Sequence, residues 1–317
     1  MKAAVYTNYG GPEVLQIKEV ANPTPKDNEL LVRIHATAVN SGDWKVRKAE
    51  PAAVRLFFGL TKPRIPILGA VFAGEVVAVG NKVTLYKVGD KIYGSTGMGM
   101  GAYAEYKCLP ESAVISLMPN KTSFEEAAVI PFGAMTAMDF LRKANIQPGQ
   151  KVLVYGASGA VGTAAVQLAR YFGAEVTGVC STRNVALVKS LGADHVIDYT
   201  QQDFTENGVI YDVIFETVNK ISFAKSKQSL RKNGILILGA SSFSEMLLSL
   251  WVNLTGSVKV YTGLIAERTE DLAFFKTLVE KGAFKPVIDK TFPLEQIAAA
   301  HAYVEAGHKR GNVAIML

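Results

Sequence analysis

The sequence is poor in the features that would place it in several common protein classes. It contains only two cysteines, Cys108 and Cys180, so a disulfide framework is excluded and both thiols are expected in a reducing compartment. No apolar run reaches the ~18 residues of a membrane span, and the closest run, residues 246–254, is too short. Residues 1–6 have the pattern of a strand rather than of a secretion signal. We therefore expect a cytoplasmic protein without a membrane span.

Clusters of positive charge are also missing, although the formal net charge is +6. The densest stretch, residues 45–48, holds three cations in four residues and continues into apolar sequence. This pattern does not favour a nucleic-acid partner, whereas a modest positive field suits a phosphorylated small molecule. A length of 317 residues with 49% hydrophobic and 20% charged residues indicates a folded protein of about two domains.

The first 110 residues have the pattern of short strands separated by glycine and proline turns. The predicted strands cover residues 3–6, 14–17, 30–34 and 76–79. Short strands with a turn about every ten residues predict a compact, barrel-like β domain.

From Ser123 onward, helical and strand patterns alternate. Predicted helices cover residues 124–142, 161–172, 184–191 and 223–230, and apolar strands cover 151–155, 175–179, 196–197, 213–215 and 235–238. Apolar strands separated by helices predict an α/β fold with a doubly wound parallel sheet. A last strand–helix–strand segment, with the helix at 294–306 and the strand at 312–316, is expected to return to the β domain. The predicted domains are 1–122 with 285–317, and 123–284.

The strongest motif lies between the strand at 151–155 and the helix that follows it. Its sequence, Gly156-Ala-Ser-Gly-Ala-Val-Gly162, is that of a loop that holds a dinucleotide. Gly159 lets the backbone approach a pyrophosphate, and Gly162 lets the helix pack closely on the sheet. The predicted cofactor-binding residues of this loop are Gly156, Ser158, Gly159, Ala160 and Val161. The alternative is a tight turn between strand and helix that binds no ligand.

The end of the next strand indicates which dinucleotide is bound. An NAD enzyme usually has Asp or Glu there to bind the ribose hydroxyls. Here the strand is followed by Ser181, Thr182 and Arg183, and no acidic residue occurs between Glu175 and Asp194. Two hydroxyls and a guanidinium suit a 2′-phosphate, which predicts NADPH. The alternative is that Arg183 only caps a surface turn.

With these motifs in order, the whole chain resembles the medium-chain dehydrogenase/reductase superfamily, and most of all its zinc-free quinone oxidoreductase and enone reductase branch. The resemblance depends on the glycine loop and on motifs before and after it, which are residues 38–43 with Arg47, 69–80, 88–90, 190–199 and 310–313. Each motif is modest alone, but their order and spacing together are specific.

The resemblance implies a partly open, GroES-like β-barrel domain that is catalytic, joined to a Rossmann domain with the active site in the cleft between them. It also implies a homodimer formed through the Rossmann domain. The residues that it places at the cofactor are Asn40 near the nicotinamide ribose, Thr136, then Ser181, Arg183 and Tyr199 around the adenosine phosphate, Thr217, Val218, Gly239 and Ala240 after later strands, and Asn312 in the tail.

The same resemblance argues against zinc. Zinc-containing members have Cys where this chain has Asn40, and Gly-His-Glu where it has Gly69-Ala70-Val71. A catalytic zinc needs about three N, S or O ligands, which these residues do not supply. The four histidines, His35, His195, His301 and His308, are scattered along the chain. We therefore expect no metal.

Without a Lewis acid, an acceptor that is already electrophilic is favoured, such as a quinone or an α,β-unsaturated carbonyl. Asn40, Asp43 and Arg47 are the candidate catalytic residues, with Asp43 and Arg47 as a polar relay or, alternatively, a structural ion pair. Tyr103, Trp44 and Phe132 either line an acceptor pocket or belong to the core. Residues 241–254 are apolar and suit either a lid or a dimer edge. Two other functions stay open, a zinc-independent alcohol dehydrogenase and a non-catalytic NADPH sensor.

Overall fold

The computed structural model describes residues 1–241, 243–256 and 258–317, and the side chains at 243, 244, 248 and 255 lie outside this description. The chain divides into two compact units. The first unit comprises Met1–Phe132, Arg268–Glu280 and Pro286–Leu317, and the second comprises Gly133–Glu267 and Lys281–Lys285. The domain limits expected from the sequence, 1–122 with 285–317 and 123–284, stay a prediction.

The described residues form strands and helices along the whole chain. The strands are β1 (Lys2–Val5), β2 (Gln16–Glu19), β3 (Glu29–Ala38), β4 (Val71–Val79), β5 (Lys91–Ser95), β6 (Tyr106–Pro110), β7 (Ile115–Leu117), β8 (Lys151–Tyr155), β9 (Glu175–Cys180), β10 (His195–Asp198), β11 (Tyr211–Glu216), β12 (Leu230–Leu238), β13 (Lys259–Thr262), β14 (Ile288–Pro293) and β15 (Asn312–Met316). The helices are α1 (Ser41–Lys48), α2 (Val54–Phe58), α3 (Phe124–Ala128), α4 (Ile130–Ala144), α5 (Ala160–Tyr171), α6 (Val185–Ser190), α7 (Phe223–Gln228), α8 (Phe243–Thr255), α9 (Thr269–Glu280) and α10 (Ile297–Glu305). No helix in these ranges is long and apolar enough to cross a membrane.

The second unit contains a six-stranded sheet in the order β10-β9-β8-β11-β12-β13, with every neighbouring pair parallel. Its central strands are buried almost throughout, and Leu153, Val179, Ile214 and Leu236 belong to one core cluster. Within this sheet the chain forms β8 first, continues through β9 to β10 at one edge, and then returns to form β11 on the other side of β8. This order is that of a doubly wound sheet, whose ligands bind at the carboxyl ends of the strands. The predicted parallel sheet is confirmed.

The first unit contains a mainly antiparallel sheet in the order β14-β15-β3-β4-β5-β7. Strand β3 pairs with β4 along one edge, with register shifts between Leu31 and Val32 and between Ile34 and Ala36. Along its other edge it pairs first with β6, at Glu29–Arg33, and then with β15. Strand β15 pairs with β3, with Ala314 opposite Ala38, so the end of the chain joins the β domain as predicted.

The structure differs from the sequence-based prediction at several elements. The helix predicted at 124–142 is two helices, α3 and α4, because Pro131 has no N–H to donate to the carbonyl of Ala127. The prediction of a strand at 14–17 is wrong at its start, because Pro12–Val14 forms a 3-10 turn and β2 begins only at Gln16. Within the apolar segment at 241–254, residues 243–254 belong to α8, and Ser242 and the side chains at 243, 244 and 248 lie outside the described residues.

Candidate functional site

The glycine loop turns tightly at the carboxyl end of β8. Gly156 has a φ of +81°, and a Cβ there would lie 2.6 Å from Oγ1 of Thr217 and 2.7 Å from Cγ1 of Val218. The N–H groups of Gly156 and Ala157 both donate to the carbonyl of Val179, at 3.1 and 3.0 Å. Only glycine fits the first position of this loop, since a side chain would be strained by the φ angle and would collide with the residues after β11.

The start of α5 leaves room and hydrogen-bond donors for an anion. A Cβ on Gly162 would lie 2.1 Å from the carbonyl oxygen of Gly156, so α5 packs directly on the loop. A Cβ on Gly159, the N-cap residue, would meet nothing nearer than that oxygen, at 3.5 Å. Since α5 begins at Ala160, the N–H groups of its first turn have no carbonyl of their own helix to bond. Free N–H groups and the positive end of the helix dipole suit a pyrophosphate.

Asn184 brings together two of the predicted cofactor residues, Ser158 and Ser181. Its Nδ2 donates to Oγ of Ser158 at 3.0 Å and to Oγ of Ser181 at 3.1 Å. Asn184 is buried, and its Oδ1 has no hydrogen-bond partner among the described residues. Sequence reasoning missed this residue, because an Asn just before a helix is common as an N-cap and carries no other signal.

The ends of β9 and β10 form a polar surface. Arg183 is exposed there, and the N–H of the exposed Tyr199 donates to the carbonyl of Cys180 at 3.0 Å. Oγ1 of Thr182 lies 3.1 Å from Oγ1 of Thr200. Hydrogen bonds from these two threonines hold the pKa of Asp198 below its usual value. This carboxylate, on the strand beside β9, was missed because reasoning from the sequence considered only the end of β9.

The residues after β11 and β12 are arranged by a buried carboxylate. Glu216 accepts hydrogen bonds from the N–H groups of Val218 and Lys220, at 2.9 and 3.0 Å. Burial raises the pKa of Glu216, against the effect of these bonds. Oγ1 of Thr217 donates to the carbonyl of Tyr155 at 2.8 Å, and the N–H of Gly239, which precedes Ala240, donates to the carbonyl of Glu216 at 2.8 Å. The structure thus places these predicted residues at the carboxyl ends of β11 and β12.

Helix α4 approaches the start of α5 at a glycine. A Cβ on Gly133 would lie 2.5 Å from the carbonyl oxygen of Ala160. Thr136 follows one helical turn later and therefore lies on the same face of α4 as Gly133. It is buried, with 8% of its surface exposed. This contact brings the predicted cofactor residue Thr136 to the same side of the unit as the glycine loop.

In the first unit, two buried amides lie at the ends of paired strands. Asn40 follows β3 and caps α1, and Asn312 is the first residue of β15. The two strand ends are joined by a hydrogen bond from the N–H of Val39 to the carbonyl of Val313, at 3.0 Å. The Nδ2 of Asn312 donates to the carbonyl of Val287 at 3.0 Å. Among the described residues, Nδ2 of Asn40 and Oδ1 of Asn312 have no partner. A buried unpaired donor and acceptor are costly, and a polar ligand group would satisfy them.

Asp43 and Arg47 do not form the ion pair that was one of the two predictions for them. Both side chains are fully buried. Nη2 of Arg47 bonds to Oε2 of Glu305 at 2.5 Å, and its Nε donates to the carbonyl of Gly10 at 3.2 Å. Asp43 instead accepts a hydrogen bond from the N–H of Asn40 at 2.7 Å. The ion-pair prediction is wrong because α1 directs Asp43 back to its own N-terminus, whereas Arg47 turns toward α10.

Burial also sets the protonation of the side chains around Asp43. It raises the pKa of Asp43 to about 7, against the hydrogen bond from Asn40. The Tyr103 hydroxyl lies 3.2 Å from Nε2 of His301, and both residues are fully buried, so Tyr103 belongs to the core rather than to a pocket wall. Burial and the nearby charge of Arg47 lower the pKa of His301 to about 3, so this histidine is neutral. Trp44 and Phe132 are partly buried against core clusters.

Two family models match the chain. Residues 26–120 match the alcohol dehydrogenase GroES-like domain, and residues 191–315 match a zinc-binding dehydrogenase domain. A chloroplast envelope quinone oxidoreductase homolog of Arabidopsis thaliana is 34% identical, with 99% of this chain and 98% of the relative covered. The chain belongs to the medium-chain dehydrogenase/reductase superfamily. The predicted membership and the GroES-like domain are therefore confirmed.

Other members of the superfamily extend the comparison. A 2-methylene-furan-3-one reductase of Solanum lycopersicum is 33% identical, with 99% of this chain and 79% of the relative covered. The structure of a quinone oxidoreductase from Escherichia coli complexed with NADPH has a TM-score of 0.86 at 25% identity, with both chains covered completely. An NAD-dependent alcohol dehydrogenase structure has a TM-score of 0.87 at 30% identity, again with both chains covered completely.

The superfamily consists of oxidoreductases that bind a nicotinamide cofactor, and the chain's own residues fit such a group. In the second unit, the free N–H groups of α5 and the space over Gly159 fit a pyrophosphate. In the first unit, the unpaired amide atoms of Asn40 and Asn312 fit the polar edge of a nicotinamide nucleoside. Although one matching model is named for zinc, no group of three or more His, Cys, Asp or Glu residues that could hold a metal occurs in the described part of the chain.

Proposed function

We propose that this chain is an NADPH-dependent oxidoreductase that transfers hydride to a quinone or an α,β-unsaturated carbonyl, without zinc. The observation that carries the choice of NADPH is the end of β9, where Ser181, Thr182 and Arg183 stand in place of a carboxylate. A guanidinium binds phosphate with two parallel hydrogen bonds, whereas the usual acidic residue would repel a 2′-phosphate. The E. coli structure with NADPH supports the same choice.

Each unit contributes its own residues to the proposed binding of NADPH, which supplies the hydride when bound. The first-turn N–H groups of α5 and the hydroxyl of Ser158 bind the pyrophosphate, and Gly156 allows the tight turn that places them. Arg183, with Ser181, Thr182 and Tyr199, binds the adenosine phosphate. Thr136, Thr217, Val218, Gly239, Ala240 and Asn312 contact the rest of the cofactor, and Asn40 orients the nicotinamide ribose.

The proposed acceptor is one that accepts hydride without a Lewis acid. A quinone or an enone is already electrophilic, so the protein needs only hydrogen-bond donors for the developing anion. The Nδ2 of Asn40, unpaired among the described residues, is such a donor, and it stands where zinc-containing members have a cysteine ligand. We assign Asp43 and Arg47 as positioning residues, since both are fully buried and Asp43 acts on Asn40 through its N–H. The names of the Arabidopsis and tomato relatives support both acceptor classes.

The test is a comparison of initial rates with NADPH and NADH over a panel of quinones and enones. The expected result is turnover with a clear preference for NADPH. Arg183→Ala should raise the KM for NADPH by about tenfold or more and change that for NADH far less, because NADPH loses a guanidinium contact to its 2′-phosphate and NADH has no such phosphate. Lys189→Ala, on the neighbouring helix α6, is the matched control and should change neither value. A preference of the unmodified protein for NADH would refute the assignment.

A zinc-independent alcohol dehydrogenase is the second candidate, because one similar structure is an NAD-dependent alcohol dehydrogenase. Oxidation of alcohols with NADP⁺, at rates above those of enone reduction, would favour it. Tight NADPH binding without turnover of any quinone, enone or alcohol would instead favour the non-catalytic sensor.

We also infer a homodimer formed through the second unit. Strand β13 is the last strand of the parallel sheet, and helix α8, which packs on it, exposes Leu250 and Leu254, at 62% and 85%. A sheet edge beside exposed apolar side chains is a common place for self-association. Light scattering after gel filtration should give twice the mass of the chain. The expected cytoplasmic location stays a prediction, since the Arabidopsis relative is named for the chloroplast envelope.

A further inference from the structure

The segment after α1 exposes a cluster of large apolar side chains. Leu56, Phe57 and Leu60 are exposed to 66%, 71% and 61% of their surface. Single exposed apolar residues are ordinary on a protein surface, but three within five residues form a patch that needs an explanation. We call these three side chains the apolar tip.

The apolar tip is held outward by the residues around it. Phe58 is buried in a core cluster of the first unit, and Val54 packs against the same cluster, so the other face of α2 carries Leu56 and Phe57. The Tyr9 hydroxyl donates to the carbonyl of Gly59 at 2.7 Å. Nη1 of Arg55 donates to the carbonyl of Leu60 at 3.1 Å.

The turn after α2 depends on glycine. Gly59 has a φ of +124°, and a Cβ there would lie 2.1 Å from the carbonyl oxygen of Lys62. The N–H of Arg64 donates to the carbonyl of Phe58 at 2.7 Å, which closes the turn. These contacts hold the backbone of the segment in the conformation that exposes the three apolar side chains.

The chain segment that carries the apolar tip is rich in positive charge. Residues 45–64 contain six Lys and Arg residues and a single acidic residue, Glu50. Glu50 bonds to Lys48 at 3.2 Å, and the buried Arg47 bonds to Glu305. Lys62 and Arg64 are exposed, and neither has a carboxylate partner in the described part of the chain. The exposed cations nearest in sequence to the apolar tip are thus free to meet an anionic surface.

We propose that the apolar tip, with Lys62 and Arg64 beside it, docks this protein on the surface of an anionic phospholipid bilayer. Exposed Phe and Leu side chains enter the boundary between headgroups and acyl chains, while neighbouring cations contact the phosphates. The combination of exposed apolar side chains and cations without carboxylate partners fits this surface better than a protein partner, whose contact would extend over a broader face. The proposal does not depend on the acceptor or on the cofactor.

The test is cosedimentation of the full chain with vesicles of phosphatidylcholine alone or of equal parts phosphatidylcholine and phosphatidylglycerol. The expected result is binding to the anionic vesicles at least about tenfold stronger than to the neutral ones, weakened by added salt. Phe57→Ser should lower this binding by about tenfold, and the double variant Lys62→Glu with Arg64→Glu should abolish it. The matched controls are Leu264→Ser, which alters a side chain that is 93% exposed in the second unit, and Lys189→Glu with Lys232→Glu.

Several outcomes would overturn the proposal. Equal binding to neutral and anionic vesicles would remove the role of the cations. Unchanged binding of both tip variants, or an equal loss in the controls, would remove the role of this segment. If Phe57→Ser instead changed the mass of the protein in solution without vesicles, the apolar tip would be a contact between copies of the chain. The far-UV circular dichroism spectrum and the urea-unfolding midpoint of each variant should equal those of the unmodified protein, which shows that the fold is retained.

Discussion

Replacement of Gly162 with alanine perturbs the contact between α5 and the glycine loop. The added methyl group would lie 2.1 Å from the carbonyl oxygen of Gly156 and 2.8 Å from Cα of Ala157, where ordinary contact begins at about 3.4 Å. Both neighbours are backbone atoms, which cannot rotate away, so α5 has to move. Overpacking of a close contact costs ~1–3 kcal/mol, and the backbone neighbours place this substitution at the upper end, ~3 kcal/mol.

The matched variant Gly159→Ala separates the effect of a methyl group on the stability of the loop from its effect on binding of the proposed ligand. A Cβ at Gly159 has only one neighbour, at 3.5 Å, so the free energy of unfolding should fall by no more than ~1 kcal/mol, the cost of losing glycine at an N-cap. The same methyl group would occupy the position where a pyrophosphate approaches the backbone. We therefore expect NADPH affinity to fall by about tenfold or more in Gly159→Ala.

Urea unfolding and fluorescence titration with NADPH measure the two effects. Gly162→Ala should lose both stability and affinity, whereas Gly159→Ala should lose affinity with little loss of stability. If Gly162→Ala were as stable as the unmodified protein, the close packing of α5 on the loop would be wrong. If Gly159→Ala bound NADPH normally, the pyrophosphate would not lie over the start of α5.

Three further predictions concern the buried polar side chains of the first unit, and urea unfolding at a series of pH values measures each. Asp43 has a folded-state pKa of about 7, above its ordinary value of 3.8, so the protein loses stability as the pH rises through this interval. The stability of Asp43→Asn relative to the unmodified protein should therefore increase between pH 4 and pH 8. If the difference in unfolding free energy between the two proteins stayed constant over this range, the prediction would be wrong. His301 has a folded-state pKa of about 3, below 6.5, so stability is lost as the pH falls below 6.5, and His301→Gln should reduce this acid sensitivity. Glu305→Gln should cost ~3 kcal/mol at pH 7 because it leaves the buried charge of Arg47 unpaired, whereas the control Glu50→Gln removes an exposed pair and should cost less than ~1 kcal/mol. Equal losses in these two variants would contradict the importance of burial.

The features that the sequence predicted correctly depend on short-range patterns. Strand β8 was predicted with its observed bounds because an apolar run between a proline–glycine turn and a glycine loop is specified by neighbouring residues. The parallel, doubly wound character of the sheet followed from the alternation of helix and strand, and the glycines before α5 placed its start within one residue, at 161 instead of Ala160.

Features that depend on distant parts of the chain could not be predicted. The partner of Arg47 is Glu305, 258 residues away, and nothing in the sequence around either residue indicates the other. The hydrogen bond from Asn184 to Ser158 requires the end of β9 to lie close to the glycine loop. That distance is set by the packing of the strands and not by the types of these residues. Helix α1 was missed because it is short and contains a glycine, and its stability depends on the Asp43 cap and on contacts with α10.

The pairing of β3 with β15 has a consequence for the synthesis of the protein on the ribosome. The second unit is nearly continuous in sequence, from Gly133 to Glu267 with Lys281–Lys285, so its parallel sheet has all its strands once residue 262 has emerged. Strand β3 emerges before any of them, and its pairing with β4 and β6 needs no residue beyond Pro110, yet its last residues, Ala36–Ala38, lack the partner on their other edge until residues 312–316 are made. Asn40 likewise has no Asn312 beside it before that point. Nascent chains arrested after residue 290 should therefore bind NADPH weakly through the second unit and be cleaved rapidly by protease around β3. Translation thus leaves the last residues of β3 without their final partner strand for most of the time that the chain is being made.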